Sequence, residues 1–178
     1  MAPGSMVGMV LIGLGSNRGD SVVIVREAMD RLEAFARDRL RRSGLWRTSP
    51  VDCPPGSASF INAAVAFRPS EGVTPRGLLS SLKALETEFG RQAAPVRNAP
   101  RELDLDLLLF GNEVRDERDF VLPHPRAAER LFVLAPAAEV LPDALWPGTG
   151  STIAELLAAL QSDEQVERLA DLPELGHG

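Results

Sequence analysis

Asp104 and Asp106 stand one leucine apart in the run Leu103-Asp-Leu-Asp-Leu-Leu-Leu-Phe110. Strand alternation would put both carboxylates on one face, about 7 Å apart at Cα, and would send Leu103, Leu105, Leu107 and Leu109 to the core face. Two like charges that close raise each other's pKa and repel unless a divalent cation stands between them. Mg²⁺ suits the pair, because it takes one or two carboxylates and fills its remaining positions with water and substrate phosphates. Alone, the pair reads first as two solvated aspartates on a wet sheet face. The segment before it changes that. Arg91-Gln-Ala-Ala-Pro-Val-Arg97-Asn-Ala-Pro-Arg101 holds three arginines, two prolines and no acid. Arginine pairs bidentately with phosphate oxygens and stays charged when water is excluded, and loops of this length are often lids. Carboxylates for magnesium beside arginines for phosphate are the parts of phosphoryl transfer.

Other chemistries find no footing in the chain. Only one of the 19 basic residues is a lysine, Lys83, so a Walker A loop is absent. Gly13, Gly15 and Gly19 suggest a dinucleotide fingerprint, but its third glycine should fall at Arg18. GLGSNRGD is expected instead to be a strand-to-helix turn. No G-x-S-x-G elbow occurs, and a Cys53 nucleophile would need His124 brought from far away. Cys53 is the only cysteine, which excludes an intrachain disulfide, leaves a zinc site hard to build, and fits a reduced, cytoplasmic setting.

The 178 residues suggest a single domain over residues 6–172, after an excluded lead at 1–5 and before a tail at 173–178. Hydrophobic residues make up 44% and charged residues 25%, a composition that supports a packed core. The net charge of −6 repels phosphate backbones and anionic lipid, so neither nucleic acid nor membrane is an expected partner. The longest apolar stretch, Val7 to Leu14, is far below the ~18 residues of a membrane span, and no signal peptide is expected. A monomer is expected.

The elements that must position these residues follow from periodicity and punctuation. Val7 to Leu14 is apolar and β-branched, as a buried strand should be. Asp20 or Ser21 caps a helix to about Asp38, with Val25, Met29, Leu32 and Phe35 at helical spacing. Arg37, Arg39, Arg41 and Arg42 would then suit its C-terminal dipole. Leu40 to Thr48 and Phe60 to Phe67 are strands, separated by the proline-rich loop from Ser49 to Ser59. Thr74 and Pro75 open a second helix, carried by Leu78, Leu82, Leu85 and Phe89 and stopped by Gly90. Leu103 to Phe110 is a strand closed by Gly111-Asn112. The order βαββαβ is that of a ferredoxin-like α+β sandwich with both helices on one face of an antiparallel sheet. Beyond it come an extended piece at Phe120 to Leu122, a helix from about Ala127, and another whose capping box is Thr152 with Glu155. The second sheet face is open or covered by loops and the C-terminal elements, and function is to be sought there.

Several blocks occur together in order: Gly15-Ser16-Asn17, Arg47-Thr48 to Pro50, Phe60-Ile-Asn62-Ala-Ala-Val65, Gly90-Arg91, Arg97-Asn-Ala-Pro-Arg101-Glu-Leu-Asp104-Leu-Asp106, Leu122-Pro-His124-Pro-Arg126 and Arg130-Leu-Phe132. Over about residues 7 to 145 the chain resembles the 6-hydroxymethyl-7,8-dihydropterin pyrophosphokinases of folate biosynthesis. The resemblance implies transfer of the β,γ-pyrophosphoryl group of ATP, the co-substrate, to the pterin hydroxymethyl oxygen with release of AMP. It implies two Mg²⁺ ions on Asp104 and Asp106, and phosphate contacts from Arg91 and Arg101. It further implies Asn62 on the pterin edge, Phe132 stacked on its ring, Thr48 lining the same pocket, and His124 and Arg130 on ATP. Asn98-Ala99 departs from the family, where an aromatic residue and glycine commonly stand. A different class of function on the same fold is a nucleotide- or RNA-binding module without turnover. That module wants exposed aromatics on the central strands, whereas the chain has no tyrosine and only 5% aromatic residues.

Overall fold

A computed structural model describes residues 8–17, 20–48, 59–90 and 103–169. The elements are β1 (Val10–Ser16), α1 (Ser21–Leu32), β2 (Arg41–Arg42), β3 (Trp46–Thr48), β4 (Phe60–Phe67), α2 (Pro75–Gly90) and β5 (Asp104–Phe110). They continue with β6 (Arg115–Glu117), β7 (Phe120–Leu122), α3 (Leu131–Val140), α4 (Ile153–Ala159) and β8 (Val166–Arg168). The main sheet runs β5-β1-β4-β3-β8 with β2 also on β4, and every pairing is antiparallel. The first, second, third and fourth strands of the expected βαββαβ unit thus stand in the spatial order 4-1-3-2, the ferredoxin-like arrangement.

Alternation along the strands builds two cores. Val10, Ile12 and Leu14 of β1, Ala63, Val65 and Phe67 of β4, and Leu105 and Leu107 of β5 point to one face, where Val25, Met29 and Leu32 of α1 and Leu78, Leu82 and Leu85 of α2 cover them. The intervening residues Leu11, Ala64, Ala66 and Leu108 point to the other face, under Leu134, Ala137 and Val140 of α3 and Ile153 of α4. A sheet buried on both faces explains why β4 has no buried–exposed alternation and is buried from Ile61 to Phe67. The helix starts match their caps: the Gly77 amide donates to Thr74 Oγ1 at 3.1 Å, and Thr152 and Glu155 form a reciprocal capping box.

Several sequence expectations are corrected. β1 does not turn at its glycines but continues through Gly13-Leu14-Gly15 to Ser16, because the residues beside those glycines are apolar and both neighbouring strands offer a ladder. α1 ends at Leu32, not near Asp38, and passes through a 3-10 turn at Glu33–Phe35. The basic run that follows therefore does not sit on a helix terminus. Arg42 pairs with the side chains of Asp30 and Glu33 instead. The single strand expected over Leu40 to Thr48 is two short strands, since Ser43 replaces regular pairing by accepting the Ala64 amide on Oγ at 2.8 Å. The helix expected from Ala127 is a 3-10 turn at Ala127–Glu129 followed by α3. Leu109 belongs to the second core, not the first. The ladder between β1 and β5 shifts register between Leu11 and Ile12, which pair with Leu109 and Leu107, so Leu108 is the extra residue that reverses the phase. The proline-rich loop lies outside the described residues, apart from Ser59.

Leu82 is fully buried between α2 and the sheet. Leu82→Ala is expected to lower the unfolding free energy by about 2–5 kcal/mol, read from the denaturant midpoint. A loss below about 0.5 kcal/mol would mean that α2 does not carry this core.

Candidate active site

The second sheet face is covered only in part. Beyond the N-terminal end of α3 it opens into a cleft of about 290 Å³ lined by Gly13, Gly15, Thr48, Phe60, Asn62, Asp104, Asp106, Arg130, Phe132 and Glu164, among others. Its floor is a lateral row of three strands. Asp104 of β5 pairs with Gly15 of β1, which pairs in turn with Asn62 of β4; one step along, Asp106, Gly13 and Ala64 form the next row. Carboxylates therefore occupy one side of the floor and an amide the other, two strand spacings or roughly 10 Å apart, with glycine between them.

The glycines are what keep the floor low. A Cβ on Gly15 would meet Asn62 Oδ1 at 3.0 Å, and one on Gly13 would meet the Leu108 side chain at 3.3 Å. Leu11, Gly13 and Gly15 share one face of β1, so the strand carries bulk beneath α3 and loses it where the helix ends. Neither glycine needs its special backbone freedom here; what counts is the missing side chain.

Asp104 and Asp106 both face the cleft, as alternation predicts. Asp104 is half-buried and Asp106 exposed, and Asp106 has no hydrogen-bond or ion-pair partner among the described residues. The opposite edge of β5 is held by α2, whose Glu86 Oε2 accepts the Leu105 amide at 2.7 Å. Asn62 is 6% exposed, and its Nδ2 donates to Thr48 Oγ1 at 2.6 Å. That bond leaves the second amide N–H and Oδ1 for a ligand that needs both a donor and an acceptor. The far wall comes from the start of α3. Phe132 and Arg130 stand together there, with the guanidinium 4.7 Å from the ring centroid, a cation–π contact.

Thr48, Asn62, Asp104, Asp106, Arg130 and Phe132 thus converge on one cleft. His124 does not line it; its backbone amide donates to the Leu108 carbonyl at 3.1 Å, and its Nδ1 is buried without a hydrogen-bond partner among the described residues. Arg91 and Arg101 lie outside the described residues. Glu164 is the cleft residue that sequence reasoning missed. One of two adjacent acids, Asp163 and Glu164, between a short helix and a three-residue strand, it carries no signal of its own. Phe60 was placed on its strand but not in the site, since nothing in its spacing sets it apart from the core.

The donors available to a metal are oxygens. No group of three or more His, Cys, Asp and Glu side chains occurs among the described residues, so the protein would supply two carboxylates and leave the remaining positions to water and ligand. Mg²⁺ accepts that donor set, whereas a structural zinc would need four protein ligands.

Comparison with known proteins bears on the family and the fold. The family model for 7,8-dihydro-6-hydroxymethylpterin-pyrophosphokinase (HPPK) matches residues 11–142. A Bacillus subtilis 2-amino-4-hydroxy-6-hydroxymethyldihydropteridine pyrophosphokinase is 40% identical over 76% of this chain and 79% of its own. A Pseudomonas aeruginosa protein of the same name is 36% identical over 92% and 98%, and one from Synechocystis 35% over 92% and 78%. Among solved structures, Plasmodium falciparum HPPK-DHPS aligns with a TM-score of 0.64 at 14% identity, covering 84% of this chain and 42% of that one. An HPPK-DHPS crystallised in complex with substrates aligns at 0.65 and 12%. At these identities the structures establish the fold, and the chain spans less than half of either.

Thr48→Val removes the acceptor of the buried Asn62 amide while keeping its shape. It is expected to cost about 1–3 kcal/mol of unfolding free energy, and Thr48→Ser to restore most of it. Equal stability of the valine variant and the wild type would show that this bond does not hold the amide in place.

Proposed function

The chain belongs to the 7,8-dihydro-6-hydroxymethylpterin-pyrophosphokinase family, and from that premise we infer that it transfers pyrophosphate from ATP to 6-hydroxymethyl-7,8-dihydropterin, releasing AMP, in folate biosynthesis. It is a diphosphokinase with ATP as co-substrate. The pterin hydroxymethyl oxygen bonds to the β-phosphorus, the bond from that phosphorus to the α–β bridging oxygen breaks, AMP leaves with the electron pair, and the hydroxyl proton passes to water.

The assignment of roles within the cleft rests above all on one observation, the lateral row Asp104–Gly15–Asn62. Asn62 takes the pterin edge, matching a heterocycle that presents both donors and acceptors. Phe132 gives the ring a face to stack on, with Phe60 and Val133 adding apolar lining and Thr48 fixing the amide. Asp104 and Asp106, on the opposite side of the floor, would hold two Mg²⁺ ions. Bound there, the metal would supply charge neutralisation and polarisation at the phosphate oxygens. Arg130, exposed at the cleft wall, donates to ATP; for His124, which does not line the cleft among the described residues, an ATP contact is supported by the family's motif alone. Arg91 and Arg101 add guanidinium charge to the transferred group, a role read from their acid-free segment and the family's motif. Little else is asked of the protein, since phosphoryl transfer is mostly positioning and charge neutralisation.

Small molecules are the partners in this reading, and a cytoplasmic monomer is its setting. The acidic net charge of −6 supports the first, and the single cysteine fits the second; no helix among the described residues is long and apolar enough to cross a membrane. A binding module without turnover is not favoured: the strand faces that such a module would line with aromatics carry Asp104, Asp106, Gly13 and Gly15 here.

With ATP, Mg²⁺ and the reduced hydroxymethylpterin, AMP is expected only when the pterin is present; ADP would mean a different cleavage. Asp106→Ala is expected to lower turnover by at least about a hundredfold, the scale of the several kcal/mol that metal-held charge supplies. Because Asp106 is exposed, its loss should change stability by less than about 0.5 kcal/mol. Wild-type turnover in that variant would remove the aspartate pair from the chemistry. Arg101→Ala should reduce turnover far more than pterin affinity, and an unchanged turnover number would take Arg101 out of the reaction.

A further inference from the structure

Helix α3 brings Arg130 and Phe132 to the cleft from its first turn, and that turn has no cap of its own. Arg130 occupies the N-cap position and makes no side-chain capping bond, so the first backbone N–H groups of the helix need partners from elsewhere. One comes from a residue 33 positions away: Glu164 Oε2 accepts the Leu131 amide at 3.0 Å. The same oxygen accepts Ser162 Oγ at 2.9 Å, and Ser162 Oγ in turn accepts the Glu164 amide at 3.0 Å. The carboxylate is thereby fixed within its own segment before it reaches the helix. Its side chain is only 12% exposed, and Oε1 lies 3.6 Å from Arg130 Nε. A carboxylate at a helix N-terminus also meets the positive end of the helix dipole.

From this we propose that Glu164 is a positioning residue of the pterin pocket, which sets the orientation of Phe132 by clamping the first turn of α3. The body of the helix does not depend on it. Leu134, Ala137 and Val140 are buried against the sheet and hold the later turns in place, so the control Glu164 exerts is confined to residues 130–132. Two of those residues, Arg130 and Phe132, line the cleft. Glu164 itself lines the cleft, so the clamp acts beside the ligand and not through the core. The proposal deepens the assignment of Phe132 to the pterin ring and rests on it.

The test is a double-mutant cycle between Glu164→Ala and Phe132→Ala in the full chain, with steady-state kinetics and amide hydrogen exchange. Glu164→Ala is expected to raise the pterin KM roughly five- to tenfold, the scale of a lost helix cap, with kcat changed less than about twofold. In the Phe132→Ala background the same change should add less than about twofold, because a residue that acts through Phe132 has nothing left to act on. Glu164→Gln keeps an oxygen for the Leu131 amide and should bring the pterin KM back to within about twofold of wild type. Exchange of the Leu131 amide should quicken about tenfold in Glu164→Ala while that of Val140 does not. Multiplicative effects in the cycle, an unchanged pterin KM, or a glutamine variant as impaired as the alanine one would each overturn the positioning role. A wild-type chain that makes no AMP with the pterin would overturn the functional reading instead, and the exchange measurement separates that failure from a failure of the clamp.

Discussion

Two carboxylates one residue apart on the same face of a strand are the constraint around which the cleft is organised. At about 7 Å, their repulsion is about 0.6 kcal/mol in water and about 2.4 kcal/mol at an effective dielectric constant of 20. In the open cleft the smaller figure applies. On the proposed assignment, a pterin and a nucleotide would displace water, the larger figure would be approached, and a divalent cation would supply the counter-charge. Asp106, exposed and unpartnered among the described residues, and Asp104, half-buried, both face the cleft without a basic residue beside them in the ladder. Their lateral neighbours on β1 are glycines.

The rest of the fold places material on the other side of that floor. The sheet is covered on both faces, by α1 and α2 on one and by α3 and α4 on the other, but the second cover stops at the first turn of α3. Where it stops, β1 changes from leucine to glycine and β4 from alanine to asparagine. The cleft is thus the place where packing is withheld, and its walls are the residues on the helix end and strand ends that packing would otherwise have used. The bulge at Leu108 keeps the rows in phase with this: it lets Leu108 and Leu109 both serve the second core while Asp104 and Asp106 remain in the open.

How much of this the sequence discloses depends on whether a physical signal is local. α2 is legible from end to end, because Thr74, Pro75 and Gly90 are punctuation and Leu78, Leu82 and Leu85 are periodic. β4 and the facing of the two aspartates are legible for the same kind of reason. The glycines of β1 are not: a glycine that opens space for a neighbour's amide looks the same in the sequence as a glycine that turns the chain. Leu109 is misassigned because a bulge shifts the phase of alternation without changing the residue pattern. β6 and β8, three residues each, are too short to show alternation and exist only because an edge was available to pair with. Asn62 and Phe132 enter the site by resemblance alone, since a strand amide and a helix aromatic are ordinary core choices. Glu164 reaches the cleft purely through tertiary contact, and no pattern in the tail announces it.

The claim on which the rest depends is that the aspartate pair binds nucleotide through divalent metal. Its most direct test replaces Mg²⁺ with paramagnetic Mn²⁺ in the presence of a non-hydrolysable ATP analogue and maps the broadening of backbone amide signals. The account predicts that signals of Asp104, Asp106 and their ladder neighbours Gly13 and Gly15 broaden first, only with nucleotide and metal together, while those of the β6–β7 hairpin stay sharp. Broadening centred away from β5, or nucleotide binding of equal strength with all divalent metal removed, would contradict it.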